Sequence, residues 1–186
     1  MVGAAPRCPC ALGAVSDTTG CAGTFVIRAA RLEDAAAMAV IWNQIIRDTV
    51  FTFTAVEVTE ESCRNFIAAR QQAGRAVLVA TAGEKLTGFA SYDQFRGAAG
   101  YAGAMEHSIY LADTARGQGI GAALLAALET HACGQSHRLF IGAISAQNTA
   151  ALTFHRKQGF ATVAQIPQAG WKFGAPQDLV LVQKFL

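Results

Sequence analysis

Apolar positions along the chain keep two spacings, one helical and one alternating, and the switches between them mark out its elements. Phe25-Val26-Ile27 is a short β-rich opening. Met38, Ile41, Trp42, Ile45 and Ile46 then fall at helical spacing and form one stripe. Thr59 offers an N-cap ahead of Glu60 and Glu61, Cys63, Phe66 and Ile67 supply that helix's buried face, and Gly74 stops it. Val77–Thr81 and Leu86–Phe95 read as strands paired across Gly83-Glu84-Lys85. In a third strand, Ala104–Leu111, residues Met105, His107, Ile109 and Leu111 share one face and Glu106, Ser108 and Tyr110 the other. Gly119–Cys133 is a helix with Ile120, Leu124, Leu125 and Leu128 inward. Arg138–Ser145 is a strand, and Asn148–Gln158 is a helix ending at Gly159. Thr162–Ile166 and Leu179–Leu186 close the chain as strands, joined by a Pro/Gly-containing connector. This order predicts an α/β layer architecture with a mixed sheet. It departs from the strict βαβ alternation of a doubly wound nucleotide fold.

Met1–Thr24 shows neither period. It is rich in Ala, Gly, Cys, Thr and Pro, so residues 1–24 read as a floppy extension and 25–186 as the folded domain. A signal peptide is the competing reading, but the apolar stretch Cys10–Val15 is short and only Arg7 precedes it. Of the 186 residues 52% are hydrophobic and 15% charged, enough for one sizeable core. The net charge of +2 carries no electrostatic footprint of a nucleic-acid partner. No apolar run approaches the roughly 20 residues that a membrane helix needs. The cysteines (Cys8, Cys10, Cys21, Cys63, Cys133) are odd in number and lack metal-ligand spacing, so no metal is expected. Cys8-Pro9-Cys10 closes too short a loop for an ordinary disulfide, and a reduced, cytoplasmic setting is the simplest reading.

The most informative segment is Arg116-Gly117-Gln118-Gly119-Ile120-Gly121, between a strand and a long helix. Glycines let the backbone approach a ligand closely, and a helix start aims unpaired N–H groups and a positive dipole end at it. Together these suit a pyrophosphate. Gly117-Gln118-Gly119-Ile120-Gly121-Ala122 formally satisfies a Rossmann fingerprint, but that site needs an acidic residue about 20 positions on. No Asp or Glu lies between Glu129 and Asp178. The Gly-Lys-Ser/Thr ending of a Walker loop is also absent. A glycine-rich helix start with no ligand is the remaining alternative to a third reading.

That third reading is a resemblance. Arg116, Gly119 and Gly121 match the R/Q-x-x-G-x-G/A loop of the GNAT acetyltransferases. Asn148-Thr149-Ala150-Ala151 through His155-Arg156-Lys157 to Gly159-Phe160 resembles the same superfamily's second helix, and the likeness covers roughly Val26 to Leu186. It implies the GNAT fold, a mixed sheet of about six to seven strands flanked by about four helices. Ala90-Ser91-Tyr92, Glu106-His107-Ser108-Ile109-Tyr110, His155 and Gly170-Trp171-Lys172-Phe173-Gly174 look like the phosphinothricin and methionine sulfoximine N-acetyltransferase branch. That branch acetylates the α-amine of amino-acid analogues from acetyl-CoA and is dimeric, with active sites near the subunit contact. One departure stands out: Gly97–Gly103 is small and neutral apart from Tyr101, and Ala102 sits where the branch suggests Arg.

Amide formation from a thioester needs a neutral amine, hence a group that takes its proton. Glu106, mid-strand among apolar neighbours, is the candidate base, since burial raises a carboxyl pKa. The alternative is a structural Glu paired with a base such as Arg96. The resemblance implies a bulge near Ile109, Tyr110 and Leu111 whose freed N–H groups bind the thioester oxygen. It also places His155 where relatives often carry the Tyr that protonates the departing thiolate. Tyr110 is the runner-up, and a helical histidine bonded to a carbonyl is the alternative reading of His155. His107 is read as packing, and His131 and His137 as surface residues. The cofactor set is then Ile109, Tyr110, Leu111, Arg116, Gly117, Gln118, Gly119, Ile120, Gly121 and Asn148. Arg96 and Lys172 are candidates to hold a substrate carboxylate or oxyanion, and Phe51 and Phe53 to wall the pocket, against a solvated Lys172 and core phenylalanines. Arg138, Arg156, Lys157 and Lys172 form a local positive excess that suits an anionic cofactor. Acetylation of a protein N-terminus or lysine, and a non-catalytic acyl-CoA-binding module, are the competing functions.

Overall fold

The computed structural model describes residues 25–186; the expected extension over 1–24 lies outside the described residues. Along the chain run β1 (Val26–Ala29), α1 (Ala35–Asp48), α2 (Glu60–Gln72), β2 (Val77–Ala82), β3 (Lys85–Gln94), β4 (Ala104–Leu111), α3 (Ile120–Gly134), β5 (Leu139–Ser145), α4 (Thr149–Lys157), β6 (Ala161–Lys172) and β7 (Ala175–Phe185). The strands form one sheet ordered β1-β2-β3-β4-β5-β7-β6. Only β4 and β5 run parallel among these pairs, so the sheet is mixed.

Local chemistry sets the element ends. The Thr59 hydroxyl accepts from the Ser62 N–H and caps α2, which is followed by Gly74 at a φ of 69°. The Asn148 side chain accepts from the Ala151 N–H and caps α4. Helices α1 and α2 cover one sheet face: Met38, Ile41, Ile45, Cys63 and Ile67 bury against Val77, Val79 and Phe89. On the other face Ile120, Leu124, Leu125 and Leu128 of α3 meet Ala90, Met105, Phe140 and Val182. The two faces of β4 separate as the alternation requires, Met105, Ile109 and Leu111 toward α3 and Tyr110 toward α1 and α2.

One expectation needs correction. The connector between the last two strands is itself strand, since β6 runs from Ala161 through Gly170 to Lys172 and turns into β7 at Phe173-Gly174. Both turn residues have positive φ, 52° and 76°, as a two-residue hairpin turn demands. Pro167 is tolerated because β6 is the sheet edge and its register shifts between Ile166 and Gly170. A Cβ on Gly170 would run into the Phe53 ring, so this glycine marks a close packing contact and not a loop.

The feature that positions the site is a split in the sheet. Strands β4 and β5 pair only at Ala104–Glu106 against Leu139–Ile141, after which β5 continues on β7 alone through Ser145.

Candidate active site

A cavity of about 700 Å³ opens in this split and extends to the glycine loop. Gly117 and Gly119 hold left-handed φ values of 76° and 80°, and α3 starts at Ile120. The first N–H groups of α3 therefore have no intrahelical partner and face the cavity mouth. The lining contains Glu106, Ile109, Tyr110, Leu111, Arg116, Gly117, Gly119, Ile120, Gly121, Asn148, His155, Phe51 and Phe53. Gln118 is not in that lining; its side chain donates to the Thr114 carbonyl at 2.6 Å. Arg116 pairs with Asp113 at 2.9 Å and lies over the Phe51 ring. Ser145, 1% exposed, lines the same cavity with a hydroxyl that has no hydrogen-bond partner among the described residues.

Backbone polarity in β4 follows from its pairing. The Ala112 N–H donates to Thr87 on the β3 side, whereas the Gly103 carbonyl accepts from Leu139 on the β5 side. Alternation then directs the N–H groups of Ile109 and Leu111 toward β5, which has moved away. The pairing of β3 with β4 runs without a register shift from Gly88–Leu111 to Gln94–Met105. The bulge expected near Ile109–Leu111 is thus absent from that ladder, and the split frees the same donors.

Glu106 lines this cavity and a second one of about 290 Å³ on the α1–α2 side, walled by Trp42, Phe66 and Tyr110. Burial raises the Glu106 pKa. Among the described residues it is in no ion pair, and the expected alternative partner Arg96 lies instead over the Phe95 ring. Arg96 and Lys172 line neither cavity. Lys172 is buried and donates to the Thr52 carbonyl at 2.6 Å, which ties β6 to the loop carrying Phe51 and Phe53. Burial lowers the Lys172 pKa. Tyr110 packs between Trp42 and Phe89, and burial raises its phenol pKa, so it holds its proton at neutral pH.

His155 and His107 bury together at the apex of the split, with Nε2 atoms 2.9 Å apart. His155 Nδ1 donates to the Ala151 carbonyl at 2.8 Å, because a carbonyl can only accept. In neutral His155, Nε2 is then an acceptor and His107 supplies the hydrogen between the rings. Both His155 nitrogens are committed. Gly142 leaves the room for His107: a Cβ there would lie 3.2 Å from its ring. Burial first, and then His155, press the His107 pKa down to about 3.

Sequence reasoning missed this pair because the partners lie on β4 and α4, and only the β4–β5 split joins them. It also read His131 and His137 as surface residues. Both are half-buried, His131 against the Tyr92 hydroxyl at 2.7 Å and His137 accepting from Arg75 at 2.9 Å. Arg70, Arg75 and Asp93 form a third unforeseen group: Arg70 pairs with Asp93, and Arg75 Nε stands 3.7 Å from it. No motif marks these residues.

The family described as acetyltransferase (GNAT) domain matches residues 27–181. An L-methionine sulfoximine/L-methionine sulfone acetyltransferase of Pseudomonas paraeruginosa is 36% identical over 159 residues, covering 84% of this chain and 92% of the relative. A phosphinothricin N-acetyltransferase of Alcaligenes faecalis is 32% identical over 159 residues, covering 85% and 81%. A solved structure of a putative acetyltransferase from Salmonella typhimurium, with its cofactor acetyl-CoA, superposes with a TM-score of 0.85 at 32% identity, over 88% of this chain and 95% of that one. Fold, glycine loop and these relatives agree, and the chain belongs to the GNAT family of N-acetyltransferases.

Proposed function

We propose that this enzyme transfers the acetyl group of acetyl-CoA directly to the α-amine of a small amino-acid-like substrate of the methionine sulfoximine, methionine sulfone or phosphinothricin type. The observation that carries this reading is the meeting of two cavities at one half-buried carboxyl, Glu106, which makes no ion pair among the described residues. The larger cavity suits acetyl-CoA: the glycine loop and α3 start offer N–H groups to a pyrophosphate, and Ser145 has a hydroxyl to spare. When bound, acetyl-CoA supplies the activated acyl carbonyl. The relatives' names support the acceptor class.

In the reaction Glu106 takes the proton of the attacking amine. The N–H groups of Ile109 and Leu111 face the oxygen that gains charge. With both His155 nitrogens committed, Tyr110, a protonated phenol lining both cavities, is the donor for the departing thiolate, and His155 with His107 shapes the apex of the groove. A buried Cys63 thiol fits a reducing cytoplasm. We further infer a homodimer through β6, an edge strand that exposes Val163, Ile166 and Trp171 and turns at an exposed Phe173.

The test is thiol release from acetyl-CoA with a panel of phosphinothricin, methionine sulfoximine, methionine sulfone, common amino acids, polyamines and a short peptide. Turnover confined to the first three is the expected result. Turnover of the peptide alone would move the acceptor to a protein N-terminus or lysine.

A further inference from the structure

Lys172 lines neither cavity, yet it is bound to a loop that does. The connection between α1 and α2 places Phe51, Thr52 and Phe53 in the lining of the larger cavity, which also holds Glu106 and Tyr110. Its two ends are pinned to α1. Thr49 Oγ1 donates to the Ile45 carbonyl at 2.8 Å, and the Asn43 amide both donates to and accepts from the Val58 backbone, each at 2.8 Å. Between those ends the bonds within the loop are local, from the Phe51 N–H to Thr49 Oγ1 and from the Thr54 N–H to Thr52 Oγ1. Among the described residues, the hydrogen bond that reaches this middle stretch from another element is that of Lys172 Nζ to the Thr52 carbonyl, at 2.6 Å. Lys172 is 2% exposed and in no ion pair among the described residues. A buried ammonium without a counter-ion is unfavourable unless it is hydrogen-bonded, so its bond to Thr52 is a strong one to break. Strand β6 adds a second contact. Gly170 and Lys172 stand two residues apart on one face of it, with Trp171 exposed on the other. The room that a Cβ on Gly170 would need is filled by the Phe53 ring.

We infer that Lys172 is a positioning residue for acetyl transfer: its hold on Thr52 fixes Phe51 and Phe53 as the wall against which the acceptor seats. This rests on the acceptor reading above and assigns a residue that sets the acceptor's fit without touching it. A loop tied at its ends alone has to be ordered when the acceptor binds, and that ordering weakens binding. A third tie at the middle orders it beforehand. The consequence falls on the KM of the acceptor, because the wall meets substrate and transition state alike.

The experiment takes two readings on wild type, Lys172→Met, Lys172→Arg and Gly170→Ala. One is steady-state kinetics with methionine sulfone at saturating acetyl-CoA; the other is cleavage of the folded protein by chymotrypsin at Phe51 and Phe53, mapped by mass spectrometry. Lys172→Met keeps the bulk and removes the donor. It is expected to raise the acceptor KM about tenfold, with kcat within about threefold, and to speed cleavage of the loop about tenfold. Lys172→Arg keeps a charged donor, and both readings are expected within about threefold of wild type. Gly170 lies outside the left-handed region, so Gly170→Ala asks only that Phe53 move. Its acceptor KM is expected to rise about tenfold with the Lys172 tie intact. A lysine that merely stabilises the fold would lower the Tm of Lys172→Met and leave the acceptor KM unchanged. That outcome, or unchanged cleavage of the loop, overturns the assignment while leaving the acetyltransferase reading intact. If Lys172→Met does not fold, Gly170→Ala decides: a raised acceptor KM supports the placed wall, and an unchanged one overturns it. Absence of methionine sulfone turnover by wild type overturns the acceptor reading, and this assignment with it.

Discussion

At the residue scale the chemistry depends on where protons sit. Burial raises the Glu106 pKa, so the base is lost on acidification at a higher pH than an exposed carboxylate would be. The acid limb of kcat/KM against pH is therefore expected above the ordinary value of 4.5 for this side chain, and a pH–rate profile checks it. Tyr110→Phe removes the proposed donor and is expected to lower kcat about tenfold, with KM for acetyl-CoA held; steady-state kinetics at saturating amine tests this. His107 makes a separate prediction, on stability. Its native pKa is about 3 against 6.5 unfolded, so between those values the unfolded chain binds the extra proton. Stability falls as pH drops through that window. His107→Gln removes this titration, and its Tm should decline less steeply with acid than that of wild type in thermal melts across the same range. The residues legible in the sequence were those lying in local patterns, Glu106 in an alternating strand and the glycines before a helix. Arg70, Arg75 and Asp93 belong to α2, the turn after it and β3. Their meeting is a product of sheet register and helix docking, which no local pattern encodes.

At the element scale, most of the secondary structure was legible because the helices carry apolar stripes and two of them, α2 and α4, a side-chain cap. The order of strands and helices, the bounds of β4 and the Thr59 cap stand as expected from the residues. The long β6–β7 hairpin did not, because Pro167 and Gly170 look like loop formers until an edge strand and the Phe53 ring explain them. The loop before α3 carries a sharper test. A Cβ on Gly119 would meet nothing within 4 Å, so its requirement is conformational: φ is 80°. Gly119→Ala costs about 1–2 kcal/mol in that backbone region. It is expected to tilt the loop and raise KM for acetyl-CoA roughly tenfold, with KM for the amine unchanged, as initial-rate kinetics would read.

At the scale of the whole molecule, two layers of helices hold a sheet that is split in its middle, and the split brings a long groove against a short cavity. Trp171 is 65% exposed and Phe173 63%, at the edge of the sheet. Replacing both with Glu is expected to turn a dimer into a folded monomer, seen by analytical ultracentrifugation with an unchanged circular dichroism spectrum. The central claim, that Glu106 at the junction of the two cavities is the base for direct transfer, is tested most directly by single-turnover acetyl transfer to methionine sulfone in wild type and Glu106→Gln. A rate at least about 100-fold lower is expected in the variant, with acetyl-CoA binding unchanged by calorimetry. A variant that transfers acetyl at the wild-type rate would contradict it.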